Sequence, residues 1–126
     1  MGTECEITHA VFLYIIMKTA QTNLKREIVQ RKEIYQAGLE RTEILIAAEK
    51  INEALVFGLQ TVVYSNTGLI CEETHINILI NCCNKFIDGF PEIDFSEMSI
   101  ANAVERIRGV LIERISFYKQ LENLTH

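Results

Sequence analysis

Two five-residue segments contain the residues of this chain that are best suited to chemistry. Cys5-Glu-Ile-Thr-His9 and Cys71-Glu-Glu-Thr-His75 share cysteine, glutamate, threonine and histidine in the same order. Cysteine, glutamate and histidine are all ligands of zinc or iron in proteins. On a helix, the Glu-x-x-His spacing of each segment places both side chains on one face. The repeat therefore raises the hypothesis of a metal site with Cys5, His9, Cys71 and His75 as ligands.

A second explanation of the repeat needs no metal. Thr3-Glu-Cys-Glu6 fits a capping box at the start of one helix, and Glu72 and Glu73 suit the first turn of another. A di-metal site in a helical bundle would also need inward-facing glutamates on the remaining helices, where the glutamates flank the apolar stripes or face away from them. We therefore expect two ordinary helix starts and no cofactor, with zinc or iron at the four ligands as the alternative.

A catalytic arrangement is difficult to assemble from this sequence. Cys71 is a candidate nucleophile, because it precedes His75 by four residues and lies near an expected helix start, and both features lower the pKa of a thiol. No third orienting residue or oxyanion arrangement accompanies this pair. The six glycines form neither G-x-G-x-x-G nor G-x-x-x-x-G-K. We therefore favour a protein without enzymatic activity.

The composition indicates one globular domain that spans residues 1–126. Hydrophobic residues make up 48% of the chain and charged residues 23%, as in ordinary folded domains. The net charge of -5 argues against a nucleic-acid partner, since phosphate binding needs a basic surface. The longest apolar run, residues 10–17, is too short to span a membrane and follows acidic residues, unlike a signal peptide. The four cysteines lack a disulfide-like spacing, so we expect reduced thiols and a cytoplasmic location.

Helical periodicity dominates the first half of the chain, which has no proline between Thr3 and Asn66. An apolar stripe should start near Glu4 and include Leu13, Met17, Ala20, Leu24, Ile28 and Tyr35. We expect a turn at Gly38 and then a second helix, whose stripe contains Ile44, Ala48, Ile51, Leu55, Gly58 and Val62. The alternative is one helix that continues through Gly38. Such a helix could not fold back on itself and would need a partner chain.

Two more helices are expected in the second half. Turn-forming residues 65–68 should end the second helix, and the third should bury Ile76, Leu79, Ile80, Cys83, Phe86 and Ile87. Residues 89–96 should form a linker around Pro91. The last helix should end near Asn123 and bury Ile100, Ala103, Val104, Ile107, Val110, Leu111, Ile115, Tyr118 and Leu121. These patterns predict an all-α fold, an up-down four-helix bundle with a long N-terminal helical hairpin that could serve dimerisation.

The first expected helix has a surface that suggests a partner. Residues 12–17 are apolar all the way round the helix, which is more than one intramolecular face can cover. Residues 18–32 contain five positive charges and one negative charge, with lysines spaced every seven residues. A row of this kind usually forms a solvated face, and an acidic partner is the alternative. The expected partner-binding residues are Phe12, Tyr14, Ile15, Lys18, Lys25 and Lys32.

These observations together predict a small non-enzymatic interaction protein, such as an adaptor, a regulator or an immunity-type protein. It would present helix faces to a protein partner or to itself, most simply as a homodimer. The acidic residues of the expected linker would also allow head-to-tail association with the basic row. The alternative function is a metal-binding or metal-sensing bundle.

Overall fold

The structure is a computed structural model. It describes residues 2–87, 90, 94 and 98–124, without the side chains of residues 2–16, 18, 19 and 86. The four helices are α1 (Gly2–Ala47), α2 (Ile51–Thr67), α3 (Ile76–Phe86) and α4 (Ile100–Leu124). The described residues contain no β-strand. The prediction of an all-α four-helix bundle is therefore confirmed, whereas the expected linker of residues 89–96 lies mostly outside the described residues.

The first helix ends ten residues later than the sequence predicted. Gly38 lies inside α1, and the turn falls at residues 48–50 instead. There Lys50 N donates to Leu45 O at 2.9 Å and Glu49 N donates to Ile46 O at 3.0 Å, the two hydrogen bonds of a Schellman motif. Glu49 occupies the left-handed position that this motif usually gives to glycine, with φ of 63°. The prediction of a turn at Gly38 was wrong.

Gly38 and Gly58 are needed for close helix packing. A Cβ atom on Gly38 would lie 2.2 Å from Thr61 Cγ2 of α2, and one on Gly58 would lie 2.5 Å from Ile107 Cγ2 of α4. Real Cβ atoms do not approach so closely, so only glycine allows these helices to approach as they do. Glycine at position 38 therefore brings two helices together and does not end one.

The core lies among α1, α2 and α4, and α3 covers one side of α2. Each helix contributes one apolar stripe, as its sequence period predicts. The buried apolar residues are Ile28, Tyr35, Leu45, Ala54, Leu55, Leu59, Val62, Leu79, Ile80, Cys83, Ile87, Ala103, Val104, Ile107, Val110, Leu111, Ile115 and Tyr118. Two buried threonines satisfy their hydroxyl groups within their own helices. Thr42 donates to Gly38 O at 2.8 Å, and Thr61 donates to Phe57 O at 2.9 Å.

α2 and α4 both run antiparallel to α1. Asn66, near the end of α2, donates to the hydroxyl of Tyr35 at 2.7 Å. Arg108, in the first half of α4, pairs at 3.2 Å with Glu43, near the end of α1. α2 and α4 therefore begin at the same end of the bundle, beside the α1–α2 turn.

α3 runs in the same direction as α2. Ile76, at the start of α3, shares a groove with Asn52 and Val56 near the start of α2. Cys83 Sγ, seven residues later, lies 3.9 Å from Leu59 O farther along α2. The helices therefore do not alternate strictly, because residues 68–75 return along α2 before α3 begins. α1 and α3 consequently start at opposite ends of the bundle.

α1 is much longer than the helices that pack against it. Glu122, near the end of α4, forms an ion pair with Lys32, and Ile28 is the first buried residue among the described side chains of α1. Residues 20–27 are all exposed. We call Gly2–Glu27 the α1 overhang, a segment of about 39 Å at 1.5 Å per residue.

Substitution of the two contact glycines tests this packing. We expect Gly38→Ala and Gly58→Ala to lower the free energy of unfolding by about 1–3 kcal/mol, because each added methyl group overpacks a buried contact. Gly109→Ala is the matched control, since nothing lies within 4 Å of its Cβ position. It should raise the free energy of unfolding by about 0.5–1 kcal/mol through helix propensity. Urea unfolding at one fixed protein concentration measures all three, and equal effects would contradict the close packing.

Candidate protein-interaction site

The α1 overhang continues the stripe that α1 buries inside the bundle. Ile28 and Tyr35 of this stripe are 5% and 0% exposed. Leu24 and Met17, on the same face about one and three turns farther out, are 51% and 63% exposed, and Ala20 between them is exposed as well. The change from buried to exposed occurs where α4 ends, while the sequence pattern continues without a break. The overhang therefore presents an apolar face that the bundle does not cover.

A cluster of buried polar and aromatic side chains fixes α1 where the overhang begins. The rings of Tyr35 and Tyr118 stack with centroids 5.8 Å apart. Arg31 Nη1 donates to the hydroxyl of Tyr118 at 3.3 Å, and Asn66 donates to that of Tyr35. Burial raises the pKa of Tyr35 above its ordinary value of 10.0. Because both tyrosines are buried and have hydrogen-bond partners, the direction in which the overhang leaves the bundle is set by packed side chains.

The expected basic row is divided between the bundle and the overhang. Lys32 is half-buried and forms its ion pair with Glu122 of α4, and Arg31 pairs with Glu27 at 2.6 Å. Lys25 and Arg26 are exposed on the overhang. Of the lysines proposed to bind a partner, Lys25 is thus displayed and Lys32 holds α4 against α1, whereas the side chain of Lys18 lies outside the description.

The remaining predicted partner-binding residues are Phe12, Tyr14 and Ile15. Their backbone belongs to α1 and lies within the overhang. Their side chains are outside the described residues. Their role in binding stays a prediction, and the helix places all three about 20–24 Å along its axis before Ile28.

The two repeated segments adopt different backbone structures. Cys5–His9 is helical, whereas Cys71–His75 is a non-helical segment that precedes α3. Within it, Glu73 Oε1 accepts a hydrogen bond from the backbone amide of His75 at 3.0 Å. The expectation that Glu72 and Glu73 lie in the first turn of a helix was wrong, and so was a shared helical face for Glu72 and His75. The similarity of the two segments does not extend to their structure.

The chain carries the two segments to distant parts of the molecule. Cys71 lines an open apolar groove of about 410 Å³ together with Ile34 and Gly38 of α1. His9 precedes Ile34 by 25 residues on the same helix, which corresponds to about 38 Å. His75 is exposed. One chain therefore does not bring all four predicted ligands together, and within the described residues no group of three or more histidine, cysteine, aspartate or glutamate side chains could hold a metal ion.

The thiols on the described part of the chain are free, and the pKa of the most buried one is raised. Cys71 and Cys82 are half-buried and Cys83 is fully buried. Burial, with smaller contributions from Cys82 and Cys71, raises the pKa of Cys83 to about 12. Cys71 lies five residues before α3 and not in its first turn.

Two features of the site were not predicted from the sequence. The stack of Tyr35 on Tyr118 joins residues 83 positions apart, and no local pattern encodes such a contact. The turn at Glu49 has no glycine or asparagine to mark it. The apolar spacing of Ile44, Ala48, Ile51 and Leu55 also runs through this turn without a break, so the sequence pattern gave no signal for it.

The fold and site define a class of protein, a helical bundle whose first helix projects well beyond its neighbours. Comparison with known proteins found no matching family model, no matching curated protein and no matching solved structure. Among the described residues, no helix combines the length and the apolar character needed to cross a membrane.

Elemental analysis tests the metal hypothesis. We expect zinc, iron, copper and nickel each to be well below one equivalent per chain in untagged protein. The reason is that Cys71 and His75 lie in a loop beside the bundle, whereas His9 lies far from it on the overhang. The comparison is with protein treated with a chelator and with the His9→Ala and His75→Ala variants. Metal near one equivalent that both variants lose would establish the site and would require ligands from more than one chain.

The buried thiol predicts a loss of stability in base. Below pH 9 the Cys83 thiol keeps its proton in both the folded and the unfolded state, so its contribution to stability is fully present. Between pH 9 and about 12 only the unfolded state releases this proton, so stability should fall by up to about 1.4 kcal/mol per pH unit. Urea unfolding at pH 8, 9 and 10 measures the slope. Cys83→Ala should reduce the slope, and an unchanged slope would contradict the raised pKa.

Proposed function

We propose that this protein is a small non-enzymatic interaction protein, an adaptor, regulator or immunity-type protein, that binds a protein partner through the α1 overhang. The observation that carries the proposal is the exposure of Met17 and Leu24, which continue the buried stripe of Ile28 and Tyr35. An apolar stripe at helical spacing normally faces another protein surface. Here that surface must come from outside the bundle.

The physics of isolated helices supports this proposal. Most of the stability of a helix in a protein comes from packing of its apolar face, since isolated helices of this length are marginal in water. The overhang has 26 residues, and its described side chains between Ala20 and Glu27 are all exposed. A partner that covers the face would supply the missing stabilisation, at about 1.5–3 kcal/mol for each large apolar side chain buried.

The charges around the face indicate what kind of partner fits. Lys25 and Arg26 are exposed on the overhang, while the next basic residues along α1 are engaged with Tyr118, Glu27 and Glu122. Long basic side chains beside an apolar stripe favour a partner with acidic groups at matching positions. A protein partner, which includes a second copy of this chain, fits this combination.

The location proposed for this function is the cytoplasm. Cys71, Cys82 and Cys83 are free thiols, and a reducing compartment preserves such thiols. The high pKa of the Cys83 thiol also suits a structural role for that residue, since the thiolate is the reactive form.

Charges introduced on the exposed stripe test the proposal. The double variant Met17→Glu/Leu24→Glu should weaken any association of the overhang by on the order of 100-fold or more, because two apolar contacts are lost and charges enter an apolar interface. Its melting temperature as a bundle should stay unchanged, since both positions are exposed. Light scattering over a range of concentrations and thermal unfolding measure the two effects.

A matched control adds the same charges outside the stripe. Gln30→Glu/Gln36→Glu changes two exposed positions on the same helix and should leave association unchanged.

Hydrogen exchange on the monomeric Met17→Glu/Leu24→Glu variant gives a second measurement. Amides 17–27 should exchange much faster than amides 35–45, because the described side chains of that segment are exposed, whereas Tyr35, Thr42 and Leu45 are buried. Equal protection in the monomer would mean that the overhang is stable without a partner, which contradicts the proposal.

A further inference from the structure

The most informative surface outside the bundle is the α1 overhang, and three properties of it identify the same occupant. They are the length of the overhang, the spacing of its apolar positions and the placement of its charges. The inference rests on the proposed function, because it names the partner of that same surface.

The first property is length. The described part of the overhang runs from Gly2 to Glu27, where the bundle of the same chain begins to cover α1. These 26 residues make about seven helical turns. Two such helices can therefore overlap over enough turns for each to cover a continuous stripe of the other.

The second property is the spacing of the stripe. Leu13, Met17, Ala20 and Leu24 follow one another at steps of four, three and four residues, the repeat that lets two helices interlock. Suppose that two overhangs pair antiparallel with position 13 of one copy opposite position 17 of the other. Position 10 of one copy then lies opposite position 20 of the other. Both of these are alanines.

The third property is charge. Residues 2–16 carry two negative charges and no positive one, whereas residues 17–27 carry three positive charges and one negative. In an antiparallel pair, residues 2–16 of one copy, with a net charge of -2, face residues 17–27 of the other copy, with a net charge of +2. In a parallel pair, each segment faces the segment of the same charge. Glu6 precedes Met17 by eleven residues, about three turns, and so shares its face. A parallel pair in register would set Glu6 against itself, whereas the antiparallel register places it beside Leu24 and Lys25.

We propose that the α1 overhang of one copy pairs antiparallel with that of a second copy, about a two-fold axis near Ile15, with positions 10 and 20 facing each other. Such a pair is closed, because each overhang is used once and covers the other. The two bundles then stand at opposite ends of a two-helix rod. The exposed stripe of Met17, Ala20 and Leu24 becomes its interior.

Disulfide mapping between two single-cysteine overhang variants tests the arrangement. Ala10→Cys and Ala20→Cys are made separately, each with Cys5→Ser, then mixed, allowed to exchange partners and oxidised. The antiparallel pair predicts disulfides between positions 10 and 20 of different chains as the main product, identified by peptide mass spectrometry. A mixture of Ala10→Cys with Gln30→Cys is the control and should give little of the mixed product, because position 30 lies about 15 Å farther along the helix.

Each outcome bears on the proposal. Dimers in light scattering together with the 10-to-20 disulfide support it. Disulfides of 10 with 10 and of 20 with 20 would overturn it in favour of a parallel pair. A monomer at all concentrations would overturn it as well, and rapid exchange of amides 17–27 in that monomer would leave the overhang as a site for a different protein. Higher oligomers that grow with concentration would indicate head-to-tail association and would also overturn it.

Discussion

Among the described side chains, the burial of α1 ends at Ile28, and most of the distinctive properties of this protein follow from that limit. α2 and α4 cover the second part of a 46-residue helix, and they make polar contacts with it at Tyr35, Arg31 and Lys32. Within that part the stripe of α1 forms one wall of the core. Beyond it the same stripe meets no neighbour among the described side chains. A helix of this length in water depends on burial of its apolar face, and this is the physical basis on which a partner for the exposed part is proposed.

The bundle is built to hold α1 firmly where its cover ends. Gly38 and Gly58 let α1, α2 and α4 approach so closely that a single methyl group would not fit. The stacked tyrosines Tyr35 and Tyr118 lie one turn closer to the overhang and have polar partners on α1 and α2. Close backbone packing and satisfied buried hydroxyls together resist movement of the helices relative to one another. The overhang therefore leaves a rigid base, as a surface that binds with a defined geometry requires.

The two repeated segments, Cys5–His9 and Cys71–His75, do not form a common site within one chain. Cys71–His75 is a loop that returns along α2, and Cys5–His9 belongs to the far end of the overhang. Two identical spacings in sequence gave different structures, because only one of them lies in a long helical pattern. The charge of Glu6 in the first segment is relevant to function, because Glu6 together with the preceding Glu4 makes the start of α1 acidic. That charge favours the antiparallel arrangement of two overhangs.

The sequence by itself determined the helical class, the stripes and most of the buried residues. The period of 3.6 residues in α4, from Ala103 to Tyr118, is a local property, and it correctly identified the buried face. Only the tertiary structure decided where α1 ends, which way α3 runs and what Gly38 does. Gly38 fits both a helix end and a close helix contact, and its position against Thr61 selects the second. Likewise, Leu24 and Ile28 continue one stripe in sequence, but Leu24 is exposed and Ile28 is buried. That difference depends on where distant residues pack against α1, and a local pattern does not encode it.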